Sequence, residues 1–220
     1  MPEKFAKKAK EILRKTCNNQ PQGLYFELVD CSMIREEALK IVDELVQSPN
    51  IRKHCLAAEA AMTGLFDYFE KNGKVDVGNR VEWGIVGLLH DADYEATDKD
   101  LEKHTQVVSE KIQGKAPQEV VDAIKGHADK AERMTLMAKA IFATDELTGL
   151  IVAAALVRPD KKLEGLTTKS VLKRTKEPGF ARAVSREDIK TCETGLGIPI
   201  AEFVEIVLNS MKEISKELGL

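Results

Sequence analysis

The chain has 220 residues, enough for one large domain, and its formal net charge is only −3. That charge gives the molecule as a whole no electrostatic basis for binding nucleic acid. Aromatic residues make up only 5% of the sequence, and the abundance of alanine, leucine and charged residues favours helices packed on helices.

Targeting and redox signals predict a soluble cytoplasmic protein with no membrane partner. The longest apolar run, LIVAAALV at 150–157, is too short to cross a bilayer. The N-terminus lacks the apolar segment of a secretory signal. The four cysteines form no CxxC pair, which disfavours a zinc knuckle or a thioredoxin-like motif. Thiols scattered in this way fit a reducing compartment.

In chain order, residues 1–32 come first and form a separate N-terminal extension. A short lysine-rich helix is expected near its start, either as an anchor on an anionic surface or, as we favour, with a solvated basic face. CNNQPQG at 17–23 ends it. Residues 33–158 then form the main domain, and residues 159–220 form a C-terminal helical section packed on it.

Apolar residues recur at helical spacing from residue 33 onward, and turn and capping residues divide them into helices. The predicted helices are 34–45, 50–70, 79–90, one capped by Thr97 or Asp98 and ending before Gly114, one opening with Pro117, 135–157, one from Ser185 to Gly195, and a last one from Ile200 to Leu218. No segment alternates like a strand. The sequence therefore predicts an all-α bundle.

All four histidines lie on or beside apolar helix faces. His54 lies in the apolar stripe of the second predicted helix, and His104 lies in that of the fourth. His127 lies beside the stripe of the fifth. In GLLHDADYE at 87–95, His90 ends the third helix and Asp91 follows it directly. Ligand-type residues from several helices therefore point toward the core.

Asp145 lies within the apolar stripe of the sixth predicted helix. A single histidine on such a face is more often an ordinary hydrogen-bonded core residue than a ligand. A buried carboxylate is harder to accommodate, since without a partner it costs several kcal/mol. One or two divalent ions would satisfy all these groups together. The nitrogen and oxygen donors, without thiolate, point to Fe, Mn, Co, Zn or Mg rather than a structural zinc site.

The order His54, His90-Asp91, Asp145 resembles the signature of the HD-domain superfamily, an all-α fold of metal-dependent phosphohydrolases. Other stretches resemble one group of largely uncharacterised bacterial HD hydrolase-like proteins: RKHCLAAEAAM (52–62), WGIVGLLHDADYE (83–95), AIKGHAD (123–129), ATDELTGLIVAAALVRP (143–159) and FARAVSRE (180–187). The resemblance covers roughly residues 33–220. It implies an HD-domain helical bundle with a C-terminal helical extension, in which these four residues bind metal.

The resemblance also bears on the number of ions. This chain has two further histidines, His104 and His127, between the HD pair and the last aspartate. In this respect it resembles the two-metal branches of the superfamily. These include bacterial diadenosine-tetraphosphate hydrolases and di-iron oxygenases such as myo-inositol oxygenase. On that resemblance Asp91 bridges two ions, and His104 and His127 hold the second. The alternative is a one-metal site in which these two histidines hydrogen-bond a substrate phosphate.

The expected activity is hydrolysis of a phosphate ester or anhydride of a nucleotide or another small phosphorylated metabolite, by water that the metal activates. The alternatives are a di-iron oxygenase and a non-catalytic nucleotide-binding regulatory module. The segment ADKAERMT after His127 lacks the HHE and GYP elements of cyclic-di-GMP phosphodiesterases. Nothing resembles the acidic ED motif of (p)ppGpp hydrolases. Those two substrates are therefore disfavoured, as is nucleic acid.

Asp93, just beyond the HD pair, is the predicted proton donor to the leaving oxygen. Glu95 and Asp129 are its rivals. The alternative for Asp93 is a helix cap or a loop hydrogen bond.

A basic segment, residues 158–176, follows the helix that carries Asp145 and has seven basic against two acidic residues. A flap of this kind over the site would hold a phosphorylated substrate, although a solvated loop is an equal alternative. The predicted substrate-binding residues are Arg158, Lys161, Lys169 and Lys173.

Overall fold

The computed structural model describes residues 33–220, which contain ten helices and no strand. The helices are α1 (Arg35–Leu45), α2 (Pro49–Lys71), α3 (Arg80–Leu89), α4 (Gln106–Ile112), α5 (Gln118–His127), α6 (Leu136–Leu156), α7 (Thr168–Thr175), α8 (Arg186–Gly195), α9 (Ile200–Glu213) and α10 (Ser215–Leu218). The predicted all-α class is confirmed for this part of the chain. The predictions for residues 1–32 lie outside the described residues.

Half of the described helices begin where the sequence supplies a capping side chain. The side chains of Ser48, Thr135 and Ser185 each accept a hydrogen bond from a main-chain N–H in the first turn of the helix that follows. Asn79 caps α3 in the same way, and the carboxylate of Glu82 accepts from the main-chain N–H of Asn79 in return.

The fourth helix begins later than predicted. It starts at Gln106 rather than at Thr97 or Asp98, and residues 90–105 run through a series of turns. Asp98, Lys99 and Thr105 have positive φ angles, which a right-handed helix cannot include. The backbone that carries His104 is therefore not helical.

The centre of the bundle is α2, which packs against α3, α6 and α9, while α6 also packs against α5 and α8. The contact between α2 and α3 is unusually close because α3 presents glycines to α2. A Cβ on Gly87 would lie 2.5 Å from the carbonyl oxygen of Ala58, and one on Gly84 would lie 3.0 Å from a methyl group of Thr63. This approach brings the end of α3 next to His54 of α2.

The C-terminal section shares its core with the preceding helices. Leu163, Val171, Phe203 and Val207 are all fully buried and belong to the same apolar cluster as the side chains of α2 and α6. None of the described helices combines the length and the apolar character that crossing a bilayer requires.

Candidate metal centre

The six residues predicted as metal ligands converge on one region of the described chain. They form two groups that share Asp91. They come from five places in the fold: His54 from α2, His90 and Asp91 from the end of α3, His104 from just before α4, His127 from the last position of α5, and Asp145 from the middle of α6.

The first group, set A, consists of His54, His90, Asp145 and one oxygen of Asp91. The Nε2 atoms of His54 and His90 are 3.0 Å apart. Oδ1 of Asp145 lies 2.9 Å from Nε2 of His54 and 3.4 Å from Nε2 of His90. Oδ2 of Asp91 lies 3.3 Å from Nε2 of His54 and 3.9 Å from Nε2 of His90. Set A therefore offers two nitrogens and two oxygens around one point.

The second group, set B, consists of His104, His127 and the other oxygen of Asp91. Oδ1 of Asp91 lies 3.2 Å from Nε2 of His104 and 3.4 Å from Nε2 of His127. The two Nε2 atoms are 3.1 Å apart. The two oxygens of the Asp91 carboxylate thus face two separate sets of donors.

These separations fit shared metal ligands. Two donors, each about 2.1 Å from a common ion and about 90° to 110° apart, lie about 3.0 to 3.4 Å from each other. Seven of the eight separations given above fall in or within 0.1 Å of that range. The exception is the 3.9 Å between His90 and Asp91.

The imidazole rings are oriented so that Nε2 faces inward. Each Nδ1 contacts an oxygen: the carbonyl of Gly87 for His90, the carbonyl of Ile124 for His127, the carboxylate of Asp93 for His104 and the hydroxyl of Thr148 for His54. A ring that donates its Nδ1–H leaves a lone pair on Nε2. Four such lone pairs then face each other and two carboxylates. A cation at the centre would satisfy all of these groups together.

In the absence of metal, protons supply that cation. Burial lowers the pKa of His54, but its hydrogen bonds with Asp145 and Asp91 outweigh burial and raise the pKa to about 10. Burial likewise opposes the charge on His104, whose contacts with Asp91 and Asp93 raise its pKa to about 9. Burial would keep Asp145 protonated, but its contacts with His54 and His90 hold its pKa well below the usual range. The carboxylate is therefore ionised.

The centre is open on one side. The side chains of His54, Asp91 and Asp145 are 23% to 27% exposed. Those of His90, His104 and His127 are 0% to 6% exposed. A small molecule can therefore approach from the side of α2 and α6, while the other side is closed by the core.

Asp93 does not fit the predicted role of proton donor. Its side chain is fully buried and accepts hydrogen bonds from Nδ1 of His104 at 2.9 Å and from the main-chain N–H groups of Thr105 and Val108 at 2.9 and 3.0 Å. Burial raises its pKa, but these hydrogen bonds outweigh burial and lower it. Asp93 is thus an ionised acceptor, which agrees with the alternative of a loop hydrogen bond.

The two rivals are engaged elsewhere. The carboxylate of Glu95 accepts hydrogen bonds from the main-chain N–H groups of Gln47 and Ser48, both at 2.8 Å. Asp129 is exposed and forms an ion pair with Arg133. Neither carboxylate belongs to the two groups of candidate ligands.

The basic segment begins away from the centre, and its role in holding a substrate stays a prediction. Asp145 lies in the middle of α6, which ends eleven residues later at Leu156, about 16 Å further along the helix axis. Arg158 lies beyond that end and pairs with Asp160, and Lys161 has a positive φ in the same turn. Lys169 and Lys173 lie on α7, which packs against α6 and α9.

A different segment, the loop 177–185, contacts α6 at the residue after Asp145. The main-chain N–H of Ser185 donates to the carboxylate of Glu146, which directly follows Asp145, at 2.9 Å. The guanidinium of Arg186 donates to the carbonyls of Ala181 and Val184 at 2.7 and 2.6 Å, and so fixes the conformation of the loop.

Sequence patterns did not identify the residues that orient the ligands, apart from the alternative left open for Asp93. Thr148 lies one turn after Asp145, donates to its carbonyl at 2.8 Å and faces Nδ1 of His54. Its spacing on the ligand-bearing face of α6 is a signal that could have revealed it. Lys130 donates to the carbonyls of Glu102 and His104, and no local pattern indicates that contact.

A separate groove of about 820 Å³ lies between α2, α3 and α9, and none of the six candidate ligands lines it. Two carboxylates in its walls pair with arginines: Glu59 with Arg35, and Asp67 with Arg80. Because these carboxylates already have arginine partners, the candidate functional site remains the histidine and aspartate centre.

Comparisons of the chain with protein-family models, with curated proteins and with solved structures found no match.

Proposed function

We propose that this chain is a metal-dependent phosphohydrolase of the HD-domain superfamily, which cleaves a phosphate ester or anhydride of a nucleotide or another small phosphorylated metabolite. The observation that carries the proposal is the position of Asp91, whose two oxygens face sets A and B separately. Pairs of divalent ions about 3.5 to 4 Å apart serve many phosphatases and nucleases. The order of the ligands along the chain supports the same family.

When bound, such ions lower the pKa of a coordinated water toward neutrality and polarise a phosphoryl oxygen. The protein contributes the fixed positions of the donors. His54 and Asp145 lie within long helices, and the contacts at Nδ1 hold each ring with Nε2 inward. The exposed edge of the centre leaves room for a phosphate group, and the closed side keeps bulk water away from His90 and His127.

Recognition of the phosphate is assigned to the loop 177–185 instead of the basic segment. This loop is joined to Glu146, which directly follows Asp145, and the side chain of Asp145 is 27% exposed. Its Arg182 is exposed, and a guanidinium can form two parallel hydrogen bonds with a phosphate. Arg182 is therefore the candidate for holding the substrate.

The test combines metal content with phosphate release. Asp91→Ala should remove both ions, because each set loses an oxygen, while the helical circular dichroism spectrum persists. Asp67→Ala, which removes an exposed carboxylate paired with Arg80, is the matched control and should retain wild-type metal content. Wild-type metal content in Asp91→Ala would overturn the assignment of the centre.

Activity is then measured as phosphate release from nucleotides and phosphorylated metabolites, with Mn²⁺, Co²⁺, Fe²⁺ and Mg²⁺ in turn. A hydrolase releases phosphate under anaerobic conditions. Oxygen consumption by the iron-loaded protein, without phosphate release from any of these compounds, would refute hydrolysis and indicate an oxygenase built on the same donors.

A further inference from the structure

His104 is held differently from the other candidate histidine ligands. His54 lies within α2, His90 directly follows α3, and His127 is the last residue of α5. His104 instead lies in the turns before α4, and the next residue, Thr105, has a φ of 69°. The main chain of His104 is therefore not fixed by the hydrogen bonds of a helix. The main-chain N–H of His104 donates to the carbonyl of Asp100 at 2.9 Å, and its other hydrogen bonds outside the candidate centre are with Asp93 and with the segment after His127.

Asp93 contacts the imidazole ring of His104. One of its oxygens accepts from Nδ1 of His104 and from the main-chain N–H of Thr105, and the other accepts from the main-chain N–H of Val108. The imidazole and the first turn of α4 are thus bound to the same buried carboxylate. His90 and His127 differ because their rings contact carbonyls three residues earlier in their own helices.

Lys130 contacts the main chain of the segment that carries His104. Its ammonium group donates to the carbonyl of Glu102 at 2.8 Å and to that of His104. Lys130 comes three residues after His127, so this contact joins the two segments that carry the histidines of set B.

We propose that Asp93 is a positioning residue for set B, and that its loss releases the ion held by set B while the ion held by set A stays bound. The inference rests on the metal centre of the proposed function, but not on the reaction proposed for it. Set A shares only Asp91 with set B and has no contact with Asp93.

Asp93→Asn is the sharpest substitution because it keeps the shape of the side chain. If the amide oxygen faces His104, the amide NH₂ meets the N–H of Val108. If the amide is reversed, the NH₂ faces Nδ1 of His104 and favours the tautomer whose Nε2–H points into the centre. In the first orientation the neutral amide is a weaker acceptor for His104 than the carboxylate, and α4 loses its contact at Val108. Both orientations therefore weaken His104 as a ligand. Partners of this kind typically contribute about 10- to 100-fold in metal affinity.

Glu95→Gln is the matched control. Glu95 lies two residues away in the same turns and also accepts from two main-chain N–H groups, but it contacts no histidine. A purely structural role for carboxylates in this segment would affect both variants alike. Binding is measured by equilibrium dialysis against Mn²⁺ followed by metal analysis, with circular dichroism to verify folding.

The expected result is two ions for the wild type and for Glu95→Gln. Asp93→Asn should bind one ion with wild-type affinity and a second about 10- to 100-fold more weakly. Equal binding of both ions by Asp93→Asn, or weakening of both ions together, would overturn the role of Asp93. A wild-type protein that binds no metal would instead refute the metal centre itself.

Lys130→Met keeps the test decisive if Asp93→Asn does not fold. It removes the contacts with the carbonyls of Glu102 and His104 without removing a fully buried group. It should weaken the second ion selectively, by a smaller factor than Asp93→Asn. Wild-type affinity for both ions in a folded Lys130→Met variant would count against external positioning of His104.

Discussion

Gly87→Ala should displace α3 from α2 and thereby disrupt set A. Gly87 faces the main chain of α2, where an added Cβ would lie 2.5 Å from the carbonyl oxygen of Ala58 and 2.7 Å from the nitrogen of Glu59. Both are main-chain atoms within a helix, so no side-chain rotation can relieve the overlap. The two helices must move apart.

The required movement is about 0.9 Å, because ordinary van der Waals contact begins at 3.4 Å. His54 lies one turn before Ala58 on α2, His90 directly follows α3, and their Nε2 atoms are 3.0 Å apart. Metal–ligand distances are typically kept within about 0.2 Å, so a movement of this size exceeds what the centre tolerates. Overpacking of this kind also costs about 1 to 3 kcal/mol of stability.

Urea denaturation and Mn²⁺ dialysis of Gly87→Ala measure both effects. Gly149→Ala is the control, since this glycine lies within α6 and an added Cβ there meets only Val184, at 3.9 Å. It should retain metal and gain up to about 1 kcal/mol from helix propensity. A Gly87→Ala protein with wild-type stability and metal content would refute the dependence of the centre on this close approach.

Three further predictions concern protons and substrate. Metal affinity should rise with pH, because an incoming ion must displace the protons held by His54 and His104, whose pKa values are raised to about 10 and about 9; proton release during a metal titration checks this. In metal-free protein, protonation of His54 and His104 stabilises the folded state, because their pKa values are higher there than in the unfolded chain. The stabilisation is complete below the unfolded histidine pKa of about 6.5 and is lost as the pH rises through about 9 to 10. Urea denaturation of chelated protein at pH 6 and pH 10 measures that loss, and equal stability would contradict it. Arg182→Ala should raise KM about tenfold or more, as expected for a lost charge-assisted hydrogen bond, while Lys169→Ala should leave KM unchanged; equal effects would exclude a special role for the loop 177–185.

Helical periodicity predicted that His54 and Asp145 point toward the core, but it does not account for all six candidate ligands. His54 and Asp145 lie on the apolar faces of long helices, and an apolar face points to the core whatever the tertiary arrangement. His104 is instructive because its predicted helix does not exist at that position. The residue is nevertheless buried beside Asp91, since the carboxylate of Asp93 holds it there.

Two features depended on the tertiary structure and could not be read from local pattern. The role of Asp93 is set by donors that come 11 to 15 residues later in the chain. The basic segment is adjacent to the helix of Asp145 in sequence, but that helix continues for about three turns beyond Asp145 before the segment begins. Charge composition indicates which segments attract phosphate, but it does not indicate at which end of a helix they lie.

The charge balance of the candidate centre predicts that the bundle stays folded when the centre holds no metal. Asp91 and Asp145 are both held in the ionised form by the neighbouring histidines, although burial opposes this. Two buried carboxylates without a cation would cost several kcal/mol each. Protons on His54 and His104 neutralise them when metal is removed, and divalent ions would occupy the same position when metal is bound. Because positive charge is present at this point in both states, the helices need not separate when ions leave. Chelation at neutral pH should therefore remove metal without unfolding the chain.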